Sequence, residues 1–256
     1  MAKKFRADEL VAAQNLASSA DQAARLIMAG KIAARDADGR LSPVIKPGQN
    51  LAADTRFALI GLKRFVSRGG YKLLTAIEHF QLEARDRICL DAGASTGGFT
   101  DCLLQHGAAR VYAVDVGQAQ LHESLRADPR VISLEGVNLR LAPPDLVPEP
   151  ISLIVADVSF ISLTRILPPC LRWLEPGGEV VALIKPQFEL GAHQTGRGVV
   201  RDPALRQLAV DTVVAACSES LELECLGVVA AAVKGPKGNQ EYLARFVSSR
   251  RKRPAT

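Results

Sequence analysis

Residues 88–98 read Ile-Cys-Leu-Asp-Ala-Gly-Ala-Ser-Thr-Gly-Gly, an apolar run that closes on Asp91 and gives way to a loop of small residues with three glycines. The run has the length and character of a buried strand, and the glycines let the backbone turn sharply and approach a ligand closely. A helical pattern restarts over residues 99–105, and a second apolar run over 111–114 ends on Asp115. Strand, glycine turn, helix and acid-terminated strand form the layout of a nucleotide-binding α/β unit. In that unit the turn admits the ligand and the second acid takes ribose hydroxyls.

One departure from the dinucleotide pattern narrows the ligand. A pyrophosphate binder places Gly-x-Gly-x-x-Gly at the start of a helix, so that free N–H groups meet negative charge. Here Asp91 reads as standing at the mouth of the loop, where it repels phosphate and pairs with a cationic amino acid moiety. S-adenosylmethionine, an adenosyl ligand with an amino acid and no phosphate, suits that arrangement. Asp91, Gly93, Ala94, Ser95, Thr96 and Gly97 are expected to wrap its methionine part, Asp115 its ribose, and Asp157 to adjoin the reacting methyl. An ordinary tight turn gives the same local pattern, so the function has to be argued from further residues.

From residue 71 onward strand and helix patterns alternate. Strands are expected near 88–91, 111–115, 131–134, 152–157, 179–184, 224–231 and 242–247, and helices near 71–80, 99–106, 118–126, 162–174 and 203–219. Such alternation implies a mostly parallel sheet covered on both faces. The last two strands are joined by residues 234–239, Lys-Gly-Pro-Lys-Gly-Asn, which leave no room for a crossover helix, so the final strand should run antiparallel. The expected fold is α/β, a Rossmann-like seven-stranded sheet of the methyltransferase type, with a small N-terminal α+β domain.

That first domain, residues 1–61, shows two helical patterns, near 5–11 and 21–28, with Ser18 or Ser19 as the cap before the second and Gly30 as its stop. Short extended pieces with turn signals at 36–39 and 46–49 follow. The segments 6–8, 10–11, 23–30 and 46–48 resemble the S4 RNA-binding domain. Ser19-Ala20 and Asp38-Gly39 replace the serine-arginine pair and asparagine-glycine turn usual there. Residues 1–70 hold 12 Lys/Arg against 6 Asp/Glu, whereas the remainder is close to neutral. A basic segment of this kind favours a polyanionic partner, although a solvated basic face has the same composition. Arg6, Arg25, Lys31 and Arg35, with Lys63, Arg64 and Arg68 of a basic hinge over 62–70, are the candidate RNA contacts. The third segment, 71–256, carries the sheet.

Polar residues that follow apolar runs mark the ligand edge of an open α/β sheet. Residues 151–156 deliver Asp157, and 180–184 deliver Lys185. A lysine directly after a buried strand is costly unless it is paired or used, and a structural Lys185–Asp157 pair is one reading. Segments 67–73, 91–103, 157–162, 183–189, 199–203 and 235–243 together resemble the haemolysin-A-type ribosomal RNA 2′-O-methyltransferases, an S4 domain fused to an FtsJ-like catalytic domain. Arg197 departs from the lysine usual at its position. The resemblance implies a catalytic tetrad of Lys72, Asp157, Lys185 and Glu241, an S-adenosylmethionine cofactor, and ribosomal RNA or a ribosomal subunit as partner. A ribose 2′-hydroxyl is a poor nucleophile that needs an in-line approach and a proton acceptor. Lys185 is the candidate acceptor, Lys72 the candidate stabiliser of the developing alkoxide, and the two acids orient the lysines.

Bulk properties bound the alternatives. A hydrophobic fraction of 48% over 256 residues is ample for a buried core. No apolar run approaches the ~18 residues that span a bilayer, and residues 1–6 lack a secretion signal's apolar centre, so a cytoplasmic location without membrane insertion is expected. The five cysteines show no paired spacing and the four histidines are dispersed, which points away from disulfides and from a metal site. A membrane-active haemolysin and an RNA-binding scaffold with an inactive enzyme domain are the rival readings.

Overall fold

The computed structural model describes residues 4–36, 38–61, 64–191, 194–196 and 198–250; Lys63, His193, Arg197 and the basic tail from 251 onward lie outside them. The chain divides into two compact units, Met1–Arg64 and Phe65–Thr256. Part of the expected hinge therefore belongs to the second unit. Phe65 is almost fully buried in a core with Leu73 and Phe99, and Val66 N donates to Asp101 Oδ2 at 2.8 Å.

The first unit contains β1 (Lys4–Arg6), α1 (Ala7–Ala13), α2 (Ala20–Met28), β2 (Ile32–Arg35), β3 (Leu41–Pro43), β4 (Asn50–Ala52) and β5 (Arg56–Leu59). Strand β2 lies between β3 and β5, antiparallel to both, while β1 and β4 form a separate antiparallel pair. That pairing holds residues 5–6 extended, so the first helix begins only at Ala7. Ser19 caps α2 by accepting from Gln22 N, and Gly30 ends it at φ +67°. Val11, Ile27, Ile32 and Phe57 form the core of this unit.

The second unit contains α3 (Gly69–Phe80), β6 (Ile88–Ala92), α4 (Gly98–Gln105), β7 (Arg110–Asp115), α5 (Glu123–Arg126), β8 (Val131–Glu135), β9 (Ile151–Ala156), α6 (Leu163–Cys170), β10 (Leu174–Ile184), α7 (Pro186–Glu189), α8 (Pro203–Ser220), β11 (Leu223–Ala230) and β12 (Tyr242–Ser248). One seven-stranded sheet has the order β11-β12-β10-β9-β6-β7-β8, with β12 antiparallel to both neighbours. The central strands β10, β9, β6, β7 and β8 pair in parallel. Because successive side chains point to opposite faces, Leu153 and Val155 of β9 enter one apolar layer and Ile154 and Ala156 the other. Both faces are thus covered, as the continuous apolar runs require.

Three boundaries differ from the sequence reading for identifiable reasons. The helix expected over 118–126 shrinks to α5, because Glu135 accepts Gln120 N at 2.7 Å and Leu121 N at 3.0 Å and Ala119 is left-handed. Strand β10 starts at Leu174, five residues early, through an irregularity that accommodates Gly177 at φ +77°. Helix α6 stops at Cys170, with Pro168 and Pro169 in its last turn lacking the N–H for bonds back to residues 164 and 165.

The approach of α3 to Phe65 leaves no space at Gly70, where an added Cβ would lie 2.3 Å from Phe65 Cγ. Gly70→Ala gains about 1 kcal/mol of helix propensity and loses about 1–3 kcal/mol to overpacking. A net loss of up to about 2 kcal/mol in urea unfolding is the expected result.

Candidate active site

The strand ends converge as the pattern required. Asp157 N donates to Ala92 O, and Gly93 N and Ala94 N both donate to Val114 O, which draws the loops after β6, β7 and β9 together. Gly93 stands at φ +88°, and a Cβ there would lie 2.9 Å from the Asp157 carbonyl oxygen. Only glycine permits that approach. Asp115 accepts from Ser95 N at 2.8 Å and Gly117 N at 2.7 Å, tying the loops on either side of it.

Two cavities, of about 650 and 470 Å³, share Gly93, Ser95, Asp157, Ser159 and Phe160. The smaller adds Asp115, Val116, Asn138 and Leu139; the larger adds Ala94, Thr96 and Gly98 with the charged residues described below. Two expected cofactor contacts, Asp91 and Gly97, lie off both cavities. Asp91 is fully buried and lines neither cavity, because β6 runs on through Ala92 and its pleat turns Asp91 inward, on the same face as Cys89. Its Oδ2 accepts from Thr100 N at 2.9 Å and Thr100 Oγ1 at 2.7 Å, which anchors α4, while Oδ1 is buried without a hydrogen bond. Gly97, at φ +95°, faces Leu121 and Leu125, where a Cβ would lie 2.3 Å from Leu125 Cδ1.

Lys72, in the first turn of α3, places Nζ 2.6 Å from Glu241 Oε2, and Lys185, at the end of β10, places Nζ 2.6 Å from Asp157 Oδ1. All four line the larger cavity, although residues from opposite ends of the second unit contribute them. Glu241 is 0% exposed, and Lys72 and Lys185 are exposed by only 8% and 6%. Space for the Glu241 carboxylate exists because residue 235 is glycine; a Cβ there would lie within 2 Å of Oε1. Several residues at the site carried no role in the sequence reading. Ser159 Oγ accepts from Lys185 Nζ at 2.8 Å, and Gln187 Nε2 lies 3.5 Å from Glu241 Oε1. Buried Asn239 binds Val200 N, Gly198 O and Pro236 O, holding the last loop in place. Phe160 is 90% exposed at φ +65°, with its ring 5.1 Å from that of Phe188.

The candidate RNA contacts are less uniform. Arg6 forms a two-point ion pair with Asp8, Lys31 Nζ donates to Gly61 O, and Arg35 donates to Gly39 O. Arg25 is exposed without a hydrogen bond or ion pair among the described residues; Arg64 is exposed; Arg68 is exposed and lines the larger cavity. All five cysteines are unbridged, and among the described residues no cluster suits a metal ion. No described helix is long and apolar enough to cross a membrane.

The family model for FtsJ-like methyltransferases matches residues 65–247, which coincide with the second unit. The chain belongs to the FtsJ-like methyltransferase family. It is 44% identical to the 16S/23S rRNA (cytidine-2′-O)-methyltransferase TlyA of Mycobacterium tuberculosis, over 94% of this chain and 89% of that one. Hemolysin A of Brachyspira hyodysenteriae is 37% identical over 95% of this chain and 100% of its own. Among solved structures, a putative hemolysin from Streptococcus thermophilus superposes with a TM-score of 0.71 at 43% identity, covering 97% of this chain and 90% of that one.

As an FtsJ-like methyltransferase the protein uses S-adenosylmethionine, and the site fits it. Gly93 lets the loop approach the Asp157 backbone, and the smaller cavity presents Asp115 and Asp157 beside apolar Val116 and Leu139. Burial above all, reinforced by Asp157 and Asp115, pushes the Asp91 carboxyl up to about 7 despite its bonds from Thr100. A sulfonium ligand beside Asp115 and Asp157 meets charge of opposite sign.

A folded pKa above the unfolded value makes Asp91 favour folding below about pH 4, an advantage lost as pH rises through 7. Asp91→Asn, which keeps an acceptor for Thr100 but buries an unpaired amide at the Oδ1 position, should therefore gain stability relative to wild type, in the cofactor-free protein, as pH rises from 4 to 8. The gain should shrink toward pH 4, as followed by urea unfolding.

Proposed function

We propose that this enzyme methylates a ribose 2′-hydroxyl in ribosomal RNA, at a cytidine, the nucleotide named for its M. tuberculosis relative. The observation that carries the reading is the pair of buried lysine–carboxylate contacts on one cavity, Lys185–Asp157 and Lys72–Glu241. Bound S-adenosylmethionine supplies a methyl group on a positively charged sulfur. What the chain must add is an oriented oxygen and a destination for its proton.

Lys185, in its amine form, takes the proton of the 2′-hydroxyl as the oxygen–methyl bond forms and the sulfur–methyl bond breaks. The single positive charge thus moves from sulfur to Nζ. Asp157 fixes Lys185 from a backbone that also packs on Gly93, so the proton acceptor and the methionine-binding loop share one support. Lys72, held by Glu241, sets a second positive charge on the same cavity to stabilise negative charge developing on the oxygen. Exclusion of water strengthens both effects.

Features around the cavity favour an RNA acceptor. Phe160 offers an exposed aromatic face at the rim on which an unstacked base can lie. Arg68 and Lys237 are exposed on the same cavity without ion pairs among the described residues and suit the flanking phosphates. The two-helix, three-strand core of the first unit supports the S4-like reading, with Arg25 as its uncommitted cation. Arg6, bound by Asp8, serves the fold of that unit first. A ribosomal partner implies action in the cytoplasm.

Incubation with labelled S-adenosylmethionine and purified small and large ribosomal subunits tests the reading. Wild-type protein should label RNA, and Lys185→Ala should slow transfer by roughly 100-fold or more, the usual worth of a positioned proton acceptor. Cofactor affinity by titration calorimetry should stay within a few-fold. Near-wild-type transfer by Lys185→Ala would remove Lys185 from its role.

A further inference from the structure

Lys185 has a second partner that the tetrad does not include. Its Nζ lies 2.6 Å from Asp157 Oδ1 and 2.8 Å from Ser159 Oγ, both within hydrogen-bond reach. An uncharged amine has two N–H bonds and one lone pair. With Cε and two acceptors occupying three of the four tetrahedral directions around nitrogen, the fourth direction alone is left for the lone pair. Asp157 by itself fixes one N–H and leaves the second N–H and the lone pair to exchange between the two remaining directions.

We propose that Ser159 is a positioning residue that locks the Lys185 amine so that its lone pair faces the 2′-hydroxyl, an assignment that rests on the ribose methylation proposed above.

The position of Ser159 suits this role. It lines both cavities, so its hydroxyl stands where the cofactor side meets the acceptor side. Its side chain is exposed, unlike the tetrad lysines, and supports no apolar core. The segment that carries it is tied to the segment that carries Lys185. Glu189, at the end of the short helix that starts just after Lys185, accepts from Ser162 Oγ at 2.5 Å and Leu163 N at 3.0 Å. Residues 157–163 and 185–189 therefore form one clamped unit, and the Ser159–Lys185 distance is set from both sides. The Phe188 ring, 5.9 Å from Lys185 Nζ, belongs to the same unit.

The serine has a further chemical merit. Its oxygen accepts from Lys185 whether the lysine is amine or ammonium, because the hydroxyl hydrogen can rotate away. It therefore orients the amine without adding a second fixed negative charge beside it, as a carboxylate at this place would.

The test uses the full chain, labelled S-adenosylmethionine and ribosomal subunits purified from cells in which the gene for this chain is deleted. Ser159→Ala should lower the single-turnover rate at saturating subunit and cofactor by about tenfold or more, while the KM for subunit and the Kd for S-adenosylmethionine stay within about twofold. Ser159→Thr, which keeps the hydroxyl, should recover most of the rate. A Ser159→Ala rate within about twofold of wild type overturns the assignment, as does a loss that appears in KM or Kd instead of the rate, or one that threonine does not repair. If the wild-type chain labels neither subunit, the ribose-methylation reading falls and the role of Ser159 falls with it. An active wild type with an unaffected Ser159→Ala overturns the serine assignment alone.

Discussion

Two buried lysines, the buried carboxylate of Glu241 and the partly buried one of Asp157, at the carboxyl edge of one sheet, are the constraint around which the second unit is organised. Removing any one of these charges from solvent costs several kcal/mol, and the cost is offset only where a partner of opposite sign is held at close range. Lys185 and Asp157 meet because β10 and β9 are parallel neighbours, with β10 running two residues past the end of β9. Lys72 and Glu241 meet because α3 and the start of β12 reach the same cavity from opposite ends of the unit. Gly235 completes that arrangement by yielding its side-chain volume to Glu241. The antiparallel insertion of β12 between β10 and β11 is thus more than a variation in topology, since it delivers the fourth charge.

The cofactor side depends on the same edge. Gly93 packs against the backbone of Asp157, so the loop proposed to hold the methionine part is seated on the residue that pairs with Lys185, the proposed proton acceptor. Asp115 stitches the neighbouring loops, and Asp91 works from beneath by capping α4 through Thr100. Donor and acceptor positions are fixed together, which is the requirement for in-line transfer.

Much of the second unit was legible in the sequence. Parallel strands buried on both faces read as continuous apolar runs, and a polar residue at the end of such a run marks the ligand edge, which is how Asp157 and Lys185 stand out. Lys72 and Glu241 carried no local signal and were found only through resemblance, because their partnership is created by tertiary contact. Ser159 was hidden for a related reason: a serine in a loop is unremarkable until the amine it binds is in place. The pleat of β6 could not be inferred without its exact end, and a one-residue difference there sent Asp91 inward instead of to the loop mouth. In the first unit, β1 and β4 are three-residue segments that pair through backbone bonds, with no apolar alternation to announce them.

The central claim is that this edge chemistry serves a ribose oxygen and no base atom. Nucleoside mass spectrometry of ribosomal RNA methylated by the purified wild-type chain addresses it directly. The account predicts that the added methyl is found on the sugar fragment, at the 2′-oxygen of a cytidine, with the base fragment unmodified. A methyl group on the base fragment would contradict it.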